Sequence, residues 1–212
     1  MRLRAAVKRA LECFLKAQFR DGLWDGAWPQ RYPPPKGYGG YPTFNDNTMG
    51  DCVETMLLAA KQYGDPRYLD SVKRCLEFYL RSQQPEPQTT WAQQYDENLK
   101  PAAARKFEPV SVTGGESCGN MQLLMDMYLE FGDQRYLDAV GKAIAWYKRS
   151  RIGGTEDNGV WARFYEIGTN KPLYFTRKYE LVYTDDDLPV HYSFKSGYGV
   201  NSRMERYEQI KA

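Results

Sequence analysis

Apolar residues recur at helical spacing along this chain, in segments of two kinds. One kind forms three stripes: Leu3, Val7, Leu11 and Phe14; Leu69, Val72, Leu76 and Tyr79; Leu137, Val140, Ile144 and Tyr147. The other begins with polar turn residues and forms two stripes: Val53, Met56, Leu57 and Ala60; Met121, Leu124, Met125 and Tyr128. Apolar positions three and four apart share one face of an α-helix, so the pattern predicts five helices. We expect a sixth over residues 202–211.

These helices belong to a repeat. Residues 63–70 read Tyr-Gly-Asp-Pro-Arg-Tyr-Leu-Asp, and residues 131–138 repeat this as Phe-Gly-Asp-Gln-Arg-Tyr-Leu-Asp, 68 positions later. A cassette with the pattern Trp-x-(Gln/Arg)-x-Tyr follows each helix of the first kind and starts at Trp28, Trp91 and Trp161. The repeating unit is therefore a helical hairpin with long loops.

The period of the repeat decides the predicted architecture. It exceeds the roughly 20 to 50 residues of common solenoid repeats, so we expect an all-α, closed α/α toroid with the three cassettes on one face. The first outer helix has no inner helix before it, which predicts a ring incomplete at its N-terminus. Residues 1–212 are accordingly interpreted as a single α/α-toroid domain of catalytic type, truncated upstream.

Composition excludes several classes of protein. The chain has 212 residues, 42% of them hydrophobic, and its apolar runs fall short of the roughly 18 positions that a membrane span needs. A net charge of +2 without a basic block gives no nucleic-acid signature. The four cysteines form no CxxC pair and predict free, buried thiols: Cys13, Cys52, Cys75 and Cys118. We expect a monomer.

Aromatic residues make up 15% of the chain, and many lie in loops beside charged residues. Such rings are typical of a sugar-binding cleft, although they can equally cap the hairpin core. Cations beside these rings favour an anionic ligand. The run Asn45-Asp46-Asn47 offers hard oxygen ligands suited to Ca2+. Together these features point to a uronic-acid polymer.

Several segments, in order, carry a family resemblance. They are GAWPQRYP (26–33), TFNDN (43–47), WAQQYD (91–96), PAAARKFE (101–108), Glu116-Ser117, WARFYE (161–166) and TNKP (169–172). Over about residues 10–195 the chain resembles polysaccharide lyase family 10, the pectate lyases. The resemblance implies an (α/α)3 toroid that cleaves α-1,4-polygalacturonate by Ca2+-assisted anti β-elimination with an arginine as the base. It also implies a secreted or periplasmic protein, although residues 1–4 open directly into an amphipathic helix without a secretory h-region.

The resemblance also implies roles for particular residues. Arg105 would be the base that removes the C5 proton, and Asp46 a calcium ligand. The residues expected to bind substrate are Arg163, Arg177, Asn47, Trp91 and Lys171. An arginine base predicts an alkaline pH optimum, with burial and neighbouring positive charge reducing the cost of deprotonation.

Other interpretations remain open. Arg105 can pair structurally with Glu108 or Glu116, and Asp46 can cap the following helix. An inverting glycoside hydrolase would need two carboxylates about 6.5 to 9.5 Å apart, for which Asp46 with Asp96 or Glu116 are candidates. A non-catalytic uronate-binding module is the third possibility. The only histidine, His191, is interpreted as a packing residue.

Overall fold

A computed structural model describes residues 2–212, which form six α-helices and seven short β-strands. The helices are α1 (Arg2–Ala17), α2 (Thr48–Tyr63), α3 (Pro66–Ser82), α4 (Glu116–Phe131), α5 (Gln134–Ser150) and α6 (Val200–Lys211). The strands are β1 (Val112–Thr113), β2 (Gly153–Gly154), β3 (Gly159–Ala162), β4 (Phe164–Tyr165), β5 (Pro172–Phe175), β6 (Leu181–Val182) and β7 (Lys195–Ser196). The positions of all six predicted helices are confirmed.

The prediction of an all-α (α/α)3 toroid is wrong, because the chain combines its helices with two antiparallel sheets. One sheet has the strand order β1-β4-β5-β6, and the other has the order β2-β3-β7. Five of the seven strands have only two residues, too few to show the alternation by which a strand is recognised in a sequence. The region after α5 therefore reads as loop although it folds as sheet.

The chain forms two compact units. The first reaches to Ser82 and also includes Gln94–Lys100; the second comprises Gln83–Gln93 and Pro101–Ala212. In the first unit α2 and α3 pack together and α1 contacts both. In the second, α4 and α5 pack together, α6 contacts both, and both sheets belong to this unit. No helix within residues 2–212 is long and apolar enough to cross a membrane.

The repeat seen in the sequence is reproduced in local structure. α2 ends at Gly64 (φ +68°) and α4 at Gly132 (φ +72°), each in the left-handed conformation that favours glycine. The residue after each glycine is an aspartate that pairs with the arginine two positions further on, Arg67 or Arg135. Both hairpins are therefore built by the same turn.

The tryptophans of the first and third cassettes hydrogen-bond to the helices that precede them. Trp28 donates from its indole nitrogen to the carbonyl of Phe14 at 2.9 Å, and Trp161 donates to that of Tyr147 at 2.8 Å, in each case 14 residues upstream. The exposed fractions of Trp28, Trp91 and Trp161 are 2%, 0% and 2%. The interpretation of these rings as caps of the core is confirmed. A sugar-stacking role for Trp91 is wrong, because its ring is inaccessible.

The cysteines only partly follow the prediction. All four are free thiols, and Cys52, Cys75 and Cys118 are buried. Cys13 is exposed, because it lies on the face of α1 away from the buried residues Leu11 and Leu15.

Candidate active site

Arg105 lies in a turn closed by hydrogen bonds, from the Glu108 amide to the Arg105 carbonyl at 2.8 Å and from the Ala104 amide to the Glu108 carbonyl at 3.0 Å. The Glu108 side chain is fully buried and accepts the Arg105 Nε–H at 2.9 and 3.0 Å and the Nη2–H at 2.6 Å. It also accepts the backbone amide of Arg105 at 3.0 Å. Such a fork is the strongest form of arginine–carboxylate contact. Of the two partners left open by the sequence, Arg105 pairs with Glu108.

The Arg105–Glu108 pair keeps Glu108 ionised. Burial alone would raise the pKa of this carboxyl, but hydrogen bonds from the Arg105 side chain and backbone, together with Tyr192, hold the pKa below its ordinary value. The Arg105 side chain is 42% exposed. Burial and neighbouring positive charge would reduce the cost of deprotonating Arg105, but this guanidinium is partly exposed and contacts an ionised carboxylate.

Arg163 is the single residue between β3 and β4, and its backbone is fixed from both sides. Its amide donates to the Phe194 carbonyl at 2.7 Å, and its carbonyl accepts from the Gly114 amide at 2.8 Å. A side chain at Gly114 would place a Cβ 2.2 Å from the Ala162 carbonyl oxygen, so only glycine permits this approach. The sheet thereby aims the Arg163 side chain in one direction.

The Arg163 guanidinium pairs with Glu116, the first residue of α4, where the helix dipole also favours a carboxylate. The side chains are 21% and 7% exposed. Burial alone would lower the pKa of Arg163, but the charge of Glu116 and the hydrogen bond between them raise it. Two buried carboxylates of the second unit therefore each hold one arginine.

Gln93 and Tyr192 connect the two pairs. The Gln93 amide nitrogen lies 3.3 Å from Oε1 of Glu116 and 3.5 Å from Oε1 of Glu108. The Tyr192 hydroxyl donates to Glu108 at 3.2 Å, and its ring lies 4.7 Å beneath the Arg163 guanidinium. We call these six residues the arginine cluster: Gln93, Arg105, Glu108, Glu116, Arg163 and Tyr192. It is one continuous polar network.

Aromatic side chains support the Arg105 turn. Phe107 stacks on Tyr179 with ring centroids 5.4 Å apart, and the Lys106 ammonium lies 4.4 Å from the centre of the Tyr179 ring. Tyr192 packs against Phe107 at 4.9 Å, and His191 meets the same ring edge-on at 5.5 Å. His191 is exposed apart from this contact, and its interpretation as a packing residue stays a prediction.

The other predicted substrate cations lie on the surface of the same unit with partners of their own. Arg177 is 70% exposed and pairs with Asp187 at 2.9 Å. Lys171 is exposed, and its ammonium lies 5.6 Å from the Tyr183 ring. The arginine cluster thus includes Arg105 and Arg163 but not these two residues.

The predicted calcium ligand, Asp46, belongs to the first unit. Asp46 and Asn47 adopt left-handed backbone angles, with φ of 52° and 56°, directly before α2. Both side chains are exposed, and the Asn47 amide donates to Asp51 at 2.6 Å. These oxygens suit Ca2+ in kind, but residues 2–212 contain no group of three or more acidic, His or Cys side chains able to hold a metal. Ca2+ takes roughly six to eight oxygen ligands, of which Asp46 would be one.

Gln93 and Tyr192 were missed by sequence reasoning, although Gln93 carried a signal. In the cassettes Trp91-Ala-Gln93 and Trp161-Ala-Arg163, Gln93 and Arg163 occupy the same position. Both donate to Oε1 of Glu116. The repeat therefore marked an equivalent pair whose shared partner only the fold reveals.

The arginine cluster holds two guanidinium groups on buried carboxylates beside aromatic rings, and guanidinium groups are well suited to binding acidic ligands. The model of one family, pectic acid lyase, matches residues 1–204. The chain belongs to the pectic acid lyase family and is a pectate lyase.

Solved structures agree in fold. A family 10 polysaccharide lyase from Cellvibrio cellulosa is 23% identical with a TM-score of 0.82, covering 97% of this chain and 73% of that chain. An aspartate-to-alanine mutant of such an enzyme, in complex with trigalacturonic acid, is 24% identical with a TM-score of 0.82, covering 96% of this chain and 73% of that one. The comparison with curated proteins found no match.

Proposed function

We propose that this pectate lyase cleaves α-1,4-polygalacturonate by anti β-elimination, with Arg105 as the base that removes the C5 proton. The C5–H electrons form the C4=C5 double bond, the C4–O bond breaks, and the departing oxygen takes a proton from water. The observation that carries the proposal is the arginine cluster, in which a part-exposed Arg105 is linked to Arg163 through buried groups. The trigalacturonic acid in the similar solved structure supports a galacturonate substrate.

Arg163 is proposed to bind a substrate carboxylate. A C5 proton becomes more acidic when the adjacent carboxylate is neutralised, because charge develops there in the transition state. Arg163 has the geometry for this role, since Glu116 and the Tyr192 ring fix its guanidinium from two sides. Arg177, Lys171 and Asn47 remain proposed substrate contacts on the strength of the family resemblance.

Calcium is proposed as the cofactor, with Asp46 as a ligand. Bound Ca2+ would neutralise substrate carboxylates and so favour loss of the neighbouring proton. Asp46 would contribute oxygen, and substrate carboxylates and water would complete the shell. A secreted or periplasmic location is likewise proposed from the family resemblance, and a monomeric state stays a prediction.

The base role is energetically demanding for Arg105. Its contact with ionised Glu108 favours the protonated guanidinium. Because the pKa of an arginine ordinarily lies several units above pH 9, deprotonation at that pH costs roughly 5 to 7 kcal/mol, at about 1.36 kcal/mol per pH unit. The rate is therefore expected to rise with pH across the alkaline range.

The test is formation of unsaturated uronide from polygalacturonate, followed by ultraviolet absorbance. Arg105→Ala is expected to lower kcat by about 10^2 to 10^4, the usual contribution of a general base. Arg135→Ala is the matched control, because Arg135 also pairs with a nearby carboxylate in the second unit but lies at the start of α5. Reducing sugar released without absorbance would instead indicate a hydrolase.

A further inference from the structure

The Gln93 carboxamide lies where a side chain can donate hydrogen bonds to two carboxylates, which an aliphatic side chain could not do. Its nitrogen carries two hydrogens, and two carboxylate oxygens lie within reach, Oε1 of Glu108 and Oε1 of Glu116. These same oxygens accept the guanidinium groups of Arg105 and Arg163. One amide therefore stands between two arginine–carboxylate pairs.

The charges of the cluster explain why an amide is needed there. Two carboxylates and two guanidinium groups sum to zero, yet two buried carboxylates facing one donor repel each other. A neutral group that donates to both sides offsets that repulsion, whereas a third carboxylate in its place would add to it. Tyr192 strengthens the link, because its hydroxyl donates to Glu108 and its ring lies against the Arg163 guanidinium.

The backbone around Gln93 fixes its side chain. The adjoining Trp91 accepts at its carbonyl from the Thr113 amide at 2.8 Å and donates from its amide to the Ser117 hydroxyl at 3.1 Å. Ala92 pairs with Val112 of β1. Gln93 itself is 2% exposed. The carboxamide thus projects from a segment anchored to both β1 and the start of α4.

We propose that Gln93 is a positioning residue, whose carboxamide sets the separation of the Arg105 and Arg163 guanidinium groups so that both engage one stretch of substrate. The proposal rests on the proposed function, in which Arg105 removes the proton and Arg163 binds a carboxylate. A displacement of about 1 Å between such groups can lower kcat by about 10^2.

The test compares Gln93→Met with Gln83→Met in the lyase assay. Gln83 is the matched control, because its amide also bridges two acceptors, the Thr89 and Ala139 carbonyls at 3.1 and 2.8 Å, outside the arginine cluster. Gln93→Met is expected to lower kcat by about 10 to 10^2 with less than about a threefold change in KM. Gln83→Met is expected to leave kcat within about twofold of wild type.

Gln93→Glu provides a second arm, because it keeps the side-chain length but replaces the donor with an acceptor. It is expected to lower kcat at least as much as Gln93→Met. Relative to wild type at the same pH, the loss is expected to be smaller at acid pH, where the new carboxyl is protonated. Equal kcat values for Gln93→Met and Gln83→Met would overturn the proposal. If Arg105→Ala retained activity, the proposed function would fail instead, whatever the Gln93 result.

A measurement independent of turnover completes the test. Hydrogen exchange of the arginine guanidinium N–H groups, assigned by arginine-to-lysine variants, reports how firmly each guanidinium is held. Gln93→Met is expected to accelerate exchange at both Arg105 and Arg163, and Gln83→Met at neither. Acceleration at only one arginine, or at none, would show that the amide does not join the two pairs.

Discussion

Glu108 provides the most stringent test of the arginine cluster, because a single buried carboxylate accepts hydrogen bonds from three neighbouring residues. Its side chain receives the Arg105 fork and backbone amide, the Tyr192 hydroxyl and the Gln93 amide. Glu108→Gln keeps the size of the side chain but removes its charge. The Arg105 fork is thereby weakened. The new amide NH2 group cannot accept hydrogen bonds from the donors that face it.

The expected loss of stability in Glu108→Gln follows from the exposure of the Arg105 side chain. Breaking a fully buried ion pair costs about 3 to 5 kcal/mol, because one charge stays behind in the interior. The Arg105 side chain is 42% exposed and can rehydrate, so a smaller loss of about 2 to 3 kcal/mol is expected. For a chain of this size each kcal/mol lowers Tm by about 2 to 4 °C, giving a fall of roughly 4 to 12 °C.

The pH dependence has a definite sign. The folded-state pKa of Glu108 lies below its unfolded value, so its stabilising effect is present above the ordinary glutamate pKa of about 4.3 and is lost as pH falls through the folded pKa. The stability difference between wild type and Glu108→Gln is therefore expected to be constant at neutral pH and to shrink below about pH 4.

The assay is urea or thermal denaturation of both proteins at a series of pH values. Glu86→Gln is the control, because Glu86 is 70% exposed and pairs with Arg149 at 3.2 Å on the surface of the same unit. That pair is expected to contribute about 0 to 1 kcal/mol. A neutral-pH loss for Glu108→Gln no larger than for Glu86→Gln would refute the reasoning.

Three further predictions concern other parts of the chain. In the native protein a thiol reagent at pH 8 is expected to label exposed Cys13 alone, because Cys75 is buried and burial raises its pKa. Mass spectrometry that found Cys75 labelled first would contradict this. Gly114→Ala is expected to lower the free energy of unfolding by about 2 to 4 kcal/mol, because its Cβ would overlap the Ala162 carbonyl. A loss under about 0.5 kcal/mol in denaturation would be inconsistent with the described backbone. Asp46→Ala is expected to raise the Ca2+ concentration needed for half-maximal activity by at least about tenfold; an unchanged requirement would remove Asp46 from the metal site.

Whether the sequence predicts an element of the fold depends on how many residues its apolar periodicity spans. The helices were predictable because each spans three or more turns with apolar residues on one face, as in α5 with Leu137, Val140 and Ile144 buried. The sheets were not, because strands such as Val112–Thr113 have two residues and are held by pairing with distant segments, in this case Phe164–Tyr165. Long-range pairing leaves no local periodicity.

The candidate site shows the same division. Arg105 and Glu108 form one turn, so their pairing was among the alternatives that sequence spacing allowed. The link between Glu108 and Glu116 through Gln93 depends on β1 and the start of α4 meeting the cassette loop, which no local pattern encodes. The burial of Trp91 is a similar case, since a loop aromatic reads the same whether it faces a ligand or the core.

The most direct test of the central claim is the pH dependence of unsaturated product formation by wild type and Arg105→Ala. Wild-type kcat is expected to rise from neutral pH through about pH 9, as the cost of deprotonating arginine falls by about 1.36 kcal/mol per pH unit, and Arg105→Ala is expected to lose that rise together with most of the activity. A wild-type optimum near pH 5, or an alkaline rise that survives in Arg105→Ala, would contradict the assignment of Arg105 as the base.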